Sequence, residues 1–380
     1  MILSADELAL KDAADRYARE VLLPEYLRRD RPSLADKAVA QDMGRRGFLG
    51  TDLPEALGGL GQTSLVTGMV SESLAYGDFN LSALPVNVSL NAAILMAHAP
   101  AEVRDHIVPQ MIAGERIMAI CLTEPRGGSD AANLGMTARR RGSDYVLNGE
   151  KTSITFVEWA DVFLVFARTG EAGAHGVSAF FVPEGTPGIS RLRFDNVGST
   201  VIGHGSLFFE DVVVPERYRL GDEGKGFTQV MQGFDYSRAL IALQCCGAAQ
   251  ASLDETWAYV KQREAFGRPI GQFQGVSFPL AEGESIIEAV RQLSYHTLQL
   301  REAGLPHTAQ AAMCKWMGPR HAFDTIHQCL LAHGHYGYSK ASPHQQRLRD
   351  VMGLEIGDGT AGVMKQIIAR QRIGRAAVPY

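Results

Sequence analysis

Three segments of this 380-residue chain set residue types able to do chemistry beside flexible backbone. The first is Leu122-Thr-Glu-Pro-Arg-Gly-Gly-Ser-Asp130. A glycine-rich turn bearing Thr and Ser hydroxyls can approach a phosphate or a ring closely and donate hydrogen bonds to it. On spacing alone, a plain surface turn is the better account of that segment. The second is Arg263-Glu-Ala-Phe-Gly-Arg-Pro-Ile-Gly-Gln-Phe-Gln274, and the third is Arg349-Asp350 followed by Glu355-Ile-Gly-Asp-Gly-Thr360. Asp-Gly also makes ordinary turns, so the third segment gains meaning only from its context. No Gly-x-Gly-x-x-Gly follows a strand, and neither Gly-x-Ser-x-Gly nor Gly-x-x-x-x-Gly-Lys-Ser/Thr occurs. Rossmann, serine-hydrolase and P-loop readings therefore have no support.

The elements that must position these segments fall into three successive layers. Residues 5–21 place Leu8, Ala14, Tyr17 and Val21 at helical spacing up to Pro24, and helical runs follow near 34–47, 65–77, 86–98 and 101–113. From Arg116 the period shortens. Ile117–Leu122, a hairpin over 137–151 around Gly142-Ser-Asp, then Val162–Ala167, Ser178–Val182 and Leu207–Val214 read as short strands. After Gly224 the helical period returns over 227–263, 272–302, 307–333, 343–353 and 360–372, and long proline-poor helices in sequence argue a bundle. The expected domains are a helical one over 1–115, a β-barrel over 116–224 and a helical bundle over 225–380, an α+β multidomain architecture.

Composition agrees with a soluble chain of two or three domains. Hydrophobic residues are 46%, enough for sizeable cores, and the net charge of -5 leaves no basic stripe for nucleic acid. No uninterrupted apolar run of about 18 residues is present, and the N-terminus lacks the blocks of an export signal. The five cysteines show no Cys-x-x-Cys spacing, so buried free thiols, no metal centre and a cytoplasmic setting are expected.

Taken in order, Thr-Glu-Pro-x-x-Gly-Ser-Asp130, Asn148-Gly-Glu-Lys151, Phe209-Glu-Asp-Val-x-Val-Pro215, Arg263-x-x-Phe-Gly267 and the Gly357-Asp-Gly-Thr360 loop resemble the acyl-CoA dehydrogenase family across essentially the whole chain. The resemblance implies noncovalent FAD between the barrel and the C-terminal bundle. Thr123 and Ser129 would contact the flavin and its ribityl-phosphate arm, with Ser129 also meeting substrate, and Thr155 would approach the reactive flavin edge. Arg263, Phe266 and Gln274 would reach the pyrophosphate and adenosine half of a neighbouring subunit's FAD; an arginine fork matches phosphate oxygens. Gly337 and Thr360 complete the implied cofactor contacts. The family also implies a homotetramer, with electron-transferring flavoprotein as acceptor.

The implied reaction removes a proton from the carbon next to a thioester while the flavin takes hydride from the following carbon, forming an α,β-enoyl-CoA. The implied base is Asp358, with its backbone N–H and a flavin ribityl hydroxyl as donors to the thioester oxygen. Gly359 and Arg238 are expected at the substrate, and Arg238 could equally orient the loop or form a bundle salt bridge. Ser237 stands where some members place the base, and Glu355 precedes the loop. The family's usual base is Glu. Aspartate is one methylene shorter, roughly 1.5 Å, and a misplacement near 1 Å can cost on the order of 100-fold in rate. A branched or alicyclic acyl group such as cyclohexane-carboxyl-CoA would bring its bulkier α carbon closer, and the flanking glycines permit a backbone shift. Other departures are Arg126, Ser153 in place of a common Trp (leaving ring packing to Phe156 or Trp159), and His335 and Tyr336 near the adenosine half. A straight-chain dehydrogenase, a flavin monooxygenase on the same fold and a non-catalytic assembly protein are the alternatives.

Overall fold

The computed structural model describes residues 3–31 and 37–374. Its first layer holds α1 (Ala5–Tyr17), α2 (Lys37–Arg45), α3 (Ser64–Gly77), α4 (Ala83–His98) and α5 (Ala101–Ile112). A reciprocal capping box between Ser4 and Glu7 starts α1. Its buried face is Ala14 and Tyr17, continued by Ala18 and Leu22, whereas Leu8 and Val21 remain 49% and 40% exposed, contrary to the expected face. The α-period ends at Tyr17, and Ala18–Leu22 forms a π-turn before Pro24, which has no N–H to offer Glu20. The run expected from residue 34 is helical from Lys37; positions 34–36 lie outside the described residues.

The second layer comprises β1 (Met118–Cys121), β2 (Thr137–Arg141), β3 (Asp144–Thr155), β4 (Val162–Arg168), β5 (Val177–Pro183), β6 (Ile189–Arg193), β7 (His204–Pro215) and β8 (Arg219–Leu220). Strand order is β6-β7-β3-β2-β4-β5-β8, with β1 parallel to β4. The β2–β3 hairpin closes at Arg141 opposite Asp144. Two halves of the sheet meet at a single parallel bridge, Thr137 opposite Arg168, and enclose a core containing Phe163, Val165, Phe180, Val182, Leu207 and Phe209. Strand β6 went unseen in the sequence because none of its residues is buried, so it lacks the apolar alternation of a half-buried strand.

The third layer is α6 (Gly226–Gln262), a two-residue ladder of β9 (Glu264–Ala265) and β10 (Arg268–Pro269), α7 (Gln274–Glu302), α8 (Thr308–Ala332), α9 (His335–Tyr338), α10 (Pro343–Ile356) and α11 (Ala361–Ile373). Helix α6 lies against α3 and α4 on one side and α7 and α8 on the other, which is why most of its length is buried. At Gly247 it approaches α3 so closely that a Cβ would fall 2.2 Å from the Glu72 carbonyl oxygen. All five cysteines are buried and free. Among the described residues no helix is long and apolar enough to cross a membrane.

Helix α10, which leads into the Gly357–Thr360 loop, is fixed from three directions. Arg347 donates twice to Glu255 on α6, at 2.9 and 2.8 Å. Arg349 pairs with Asp30 of the first layer at 2.6 Å. Asp350 accepts from the Tyr26 hydroxyl at 2.7 Å, Asn80 Nδ2 at 2.9 Å and the Ser199 backbone N–H at 2.7 Å. One carboxylate thus joins all three layers just ahead of the loop.

Candidate active site

The loop after α10 carries two successive left-handed backbones, Asp358 at φ +54° and Gly359 at φ +104°. A non-glycine residue there costs on the order of 1–2 kcal/mol, so surrounding structure must hold it. A Cβ at position 359 would meet Met364 Cε at 2.4 Å and would lie 3.9 Å from Arg238 Nη2, which places the arginine beside the loop. Thr360 then N-caps α11, its hydroxyl accepting from the Val363 N–H at 3.4 Å.

Two buried cations flank Asp358. Arg238 of α6 donates to Asp235 at 3.0 Å, and its Nε has no hydrogen-bond partner. Lys315 of α8 is 1% exposed and donates to the carbonyl oxygens of Leu354 at 2.6 Å and Gly359 at 3.1 Å. Burial raises the Asp358 carboxyl above its ordinary value, while Lys315 and then Arg238 pull it down. Burial likewise lowers Lys315, with the Asp358 charge the leading opposing influence. The Asp358 backbone N–H makes no hydrogen bond to the described residues. The loop therefore presents a carboxylate and a free amide donor together.

Ser237 is fully buried and its hydroxyl turns back to the Phe234 carbonyl at 3.4 Å, so it offers no base. Glu355 lies 4.0 Å from Arg320.

The second group of expected residues lies on the middle layer. Thr123 follows β1, and its carbonyl accepts from the Thr152 N–H of β3 at 2.9 Å, bringing it near Thr155 on the same strand. Ser129 is exposed in the following turn. The hydroxyls of Thr123, Ser129 and Thr155 make no hydrogen bond within the described chain. Beneath them, Lys151 (fully buried) donates to the Leu122 carbonyl and to Glu124, each at 2.9 Å, and Glu124 accepts the N–H groups of Gly135 at 2.6 Å and Met136 at 2.9 Å. This ion pair clamps the Thr-Glu-Pro turn onto the Asn-Gly-Glu-Lys strand. Both motifs were visible in sequence, but their pairing was not. The middle layer reaches α10 through the Ser199 turn, where Gly198 packs against the Arg349 carbonyl.

Phe156 and Trp159, expected to replace the missing ring at Ser153, do not present a face. They pack edge-to-face at 5.9 Å inside the core, 1% and 2% exposed, and Ser153 itself stays exposed. Arg126 is exposed and reaches over Gly135.

Arg263, Phe266, Gln274 and Gly337 form a third group at the far end of α6. From Arg238 to Arg263 the helix rises roughly 37 Å at 1.5 Å per residue. Phe266, at φ +52°, heads the β9–β10 turn and is 96% exposed. Arg263 is exposed, without a carboxylate partner among the described residues. Gln274 opens α7, whose N-terminus favours anions. Gly337 is buried and packs so tightly on α8 that a Cβ would fall 2.1 Å from the Leu330 carbonyl oxygen. Next to it, His333 stacks on Tyr259 at 4.2 Å, while His335 and Tyr336 are exposed.

Free hydroxyls at the middle layer, an unpaired arginine, a fully exposed phenylalanine and an open helix N-terminus are complementary to a ligand with a ring system at one end and phosphates at the other.

Comparison with known proteins reaches the same region of protein space. Residues 4–115, 119–212 and 224–373 match the N-terminal, middle and C-terminal domain models of acyl-CoA dehydrogenase. A Bacillus subtilis protein named acyl-CoA dehydrogenase is 32% identical, the alignment covering 98% of this chain and all of the relative. The butyryl-CoA dehydrogenase structure from Megasphaera elsdenii superposes with a TM-score of 0.94 at 31% identity, covering 98% and 99% of the two chains. The structure of PigA with FAD and proline gives a TM-score of 0.95 at 26% identity, covering 99% of each chain.

Proposed function

The chain belongs to the acyl-CoA dehydrogenase family, and from that premise we propose that it oxidises an acyl-CoA thioester to the α,β-enoyl-CoA with Asp358 as the α-proton base. The observation that carries this reading is a carboxylate on a left-handed loop, flanked by two buried cations and accompanied by an unengaged backbone N–H. The C–H bond at the α carbon breaks toward the Asp358 carboxylate, which ends the step protonated. The growing charge on the thioester oxygen is met by the Asp358 N–H, a donor that needs no reorganisation. Lys315 and, after it, Arg238 oppose the upward shift that burial imposes on the base.

FAD is the cofactor, and when bound it supplies the two-electron acceptor for the β hydrogen. Thr123, Ser129 and Thr155 are the residues suited to its ring and ribityl portion; Arg263, Phe266, Gln274 and the Gly337 turn suit the phosphate and adenosine portion of a neighbouring subunit's cofactor. The sharing of a neighbouring subunit's cofactor, and the homotetramer proposed with it, rest on the likeness to the family. Electron-transferring flavoprotein is the proposed acceptor.

For the substrate we favour a cyclic or α-branched acyl group. Aspartate withdraws the carboxylate by about one carbon–carbon bond relative to the family's usual glutamate, and a bulkier α carbon closes that gap. The test is anaerobic mixing with linear, branched and cyclic acyl-CoAs while following bleaching of the flavin. Fastest bleaching by a cyclic or α-branched thioester is expected. Fastest bleaching by butyryl-CoA would assign a straight-chain substrate, and no bleaching by any thioester would overturn the dehydrogenase reading.

A further inference from the structure

We propose that Lys315 is the positioning residue of the proton-abstracting loop: its buried ammonium clasps the carbonyls of Leu354 and Gly359, on either side of Asp358, and so fixes both the carboxylate and the free backbone N–H. The inference rests on Asp358 being the base. It starts from the hydrogen-bond pattern at the end of α10. The last helical bond runs from the Gly357 N–H to Gly353. One residue further, the Asp358 N–H would continue the helix by donating to Leu354. The Leu354 carbonyl is instead taken by Lys315 Nζ at 2.6 Å. The chain leaves the helix there, Asp358 and Gly359 turn left-handed, and the Asp358 N–H stays unengaged. The same ammonium then catches the Gly359 carbonyl at 3.1 Å, closing the turn from its far side.

Lys315 is well placed for this task. It is 1% exposed on α8, a helix packed against α6, α10 and α11, so the whole bundle fixes its stem. Burying a lysine is costly unless its charge and donors are satisfied. Here two backbone carbonyls accept from it, and the Asp358 charge is the leading influence that favours its charged form. Further titratable groups around the loop are Arg238, Asp235 and Cys245 on α6, and Glu355 on α10; Lys365 on α11 is directed over the Trp316 ring. Arg238 pairs with Asp235 through one Nη, and Glu355 lies toward Arg320. Lys315 is the cation with the greater influence on Asp358.

Two variants separate position from charge. Lys315→Met keeps the stem and removes both, whereas Lys315→Gln keeps a donor and removes the charge. Two measurements on the FAD-loaded protein read them: amide hydrogen exchange over 353–361, and the pH profile of kcat/KM. For Lys315→Met we expect exchange to rise in that loop while α6 and α8 stay protected. We also expect kcat to fall on the order of 100-fold with little change in KM. The acid limb should move to higher pH, because a carboxylate without its cation holds its proton to higher pH. Lys315→Gln should move the acid limb while leaving the loop partly protected. Unchanged loop exchange in Lys315→Met, or exchange raised throughout the bundle with an unmoved acid limb, would overturn the proposal. The exchange measurement needs no substrate, so it judges Lys315 even if the wild-type enzyme proves inert to every thioester, a result that would count against the dehydrogenase reading alone.

Discussion

Replacing Asp358 by glutamate lengthens the side chain by one methylene, and the structure indicates where that extra length must go. Helix α10 is held by Arg347, Arg349 and Asp350, and Lys315 ties down both flanks of the loop. Gly357 has open space, with the nearest atoms to a built Cβ at 3.6 and 4.0 Å. Gly359 has none, since Met364 lies 2.4 Å from where its Cβ would be. The backbone shift that flanking glycines suggest is opposed by the Lys315 bonds to the Leu354 and Gly359 carbonyls. Most of the added length, roughly 1.5 Å, is delivered to the carboxylate. A group brought that much closer collides with a tertiary α carbon but reaches a linear one. With about 100-fold at stake per ångström of misplacement, Asp358→Glu should shift the linear-to-cyclic ratio of kcat/KM by on the order of 100-fold toward the linear substrate. The assay compares butyryl-CoA with cyclohexane-carboxyl-CoA in both proteins, with FAD content and melting temperature as controls. If the cyclic substrate loses no ground relative to the linear one, the spatial reasoning is wrong.

Lys151→Met should destabilise the protein by about 3–5 kcal/mol, because it leaves Glu124 enclosed without its cation; denaturant unfolding would measure this, with loss of FAD affinity as the Thr123 turn loosens. Asp350, pushed up to about 7 by burial, holds its proton more tightly folded than unfolded. Its contribution to stability is full below pH 4 and is lost as pH rises toward 7, so Asp350→Asn should flatten that part of the melting-temperature profile.

Much of the architecture was legible because it rests on local periodicity. The unbroken run over 227–263 became α6, and the turn at Gly142-Ser-Asp became the β2–β3 hairpin. What was not legible depends on contacts distant in sequence. Lys151 and Glu124 lie 27 residues apart, Lys315 and Leu354 39, and Tyr26 and Asp350 324. Nothing in the residues around Lys315 distinguishes a buried clasp from an ordinary helical lysine. A buried charge is apparent only once its surroundings are seen. Val21 follows the Ala14 and Tyr17 stripe but is exposed, because the backbone changes from α to π over Ala18–Leu22, while Leu8, six residues before Ala14, lies about 120° off that face. Asp358 and Arg238 were accessible through motif order, whereas the buried Lys315 and the unengaged N–H required coordinates.

The most direct test of the central claim is anaerobic flavin reduction by cyclohexane-carboxyl-CoA in wild-type protein and in Asp358→Asn, each with FAD bound. The neutral amide cannot accept the α proton, so bleaching should slow by on the order of 10²–10⁴-fold while the thioester still binds. Bleaching of Asp358→Asn at the wild-type rate would show that another group takes the proton.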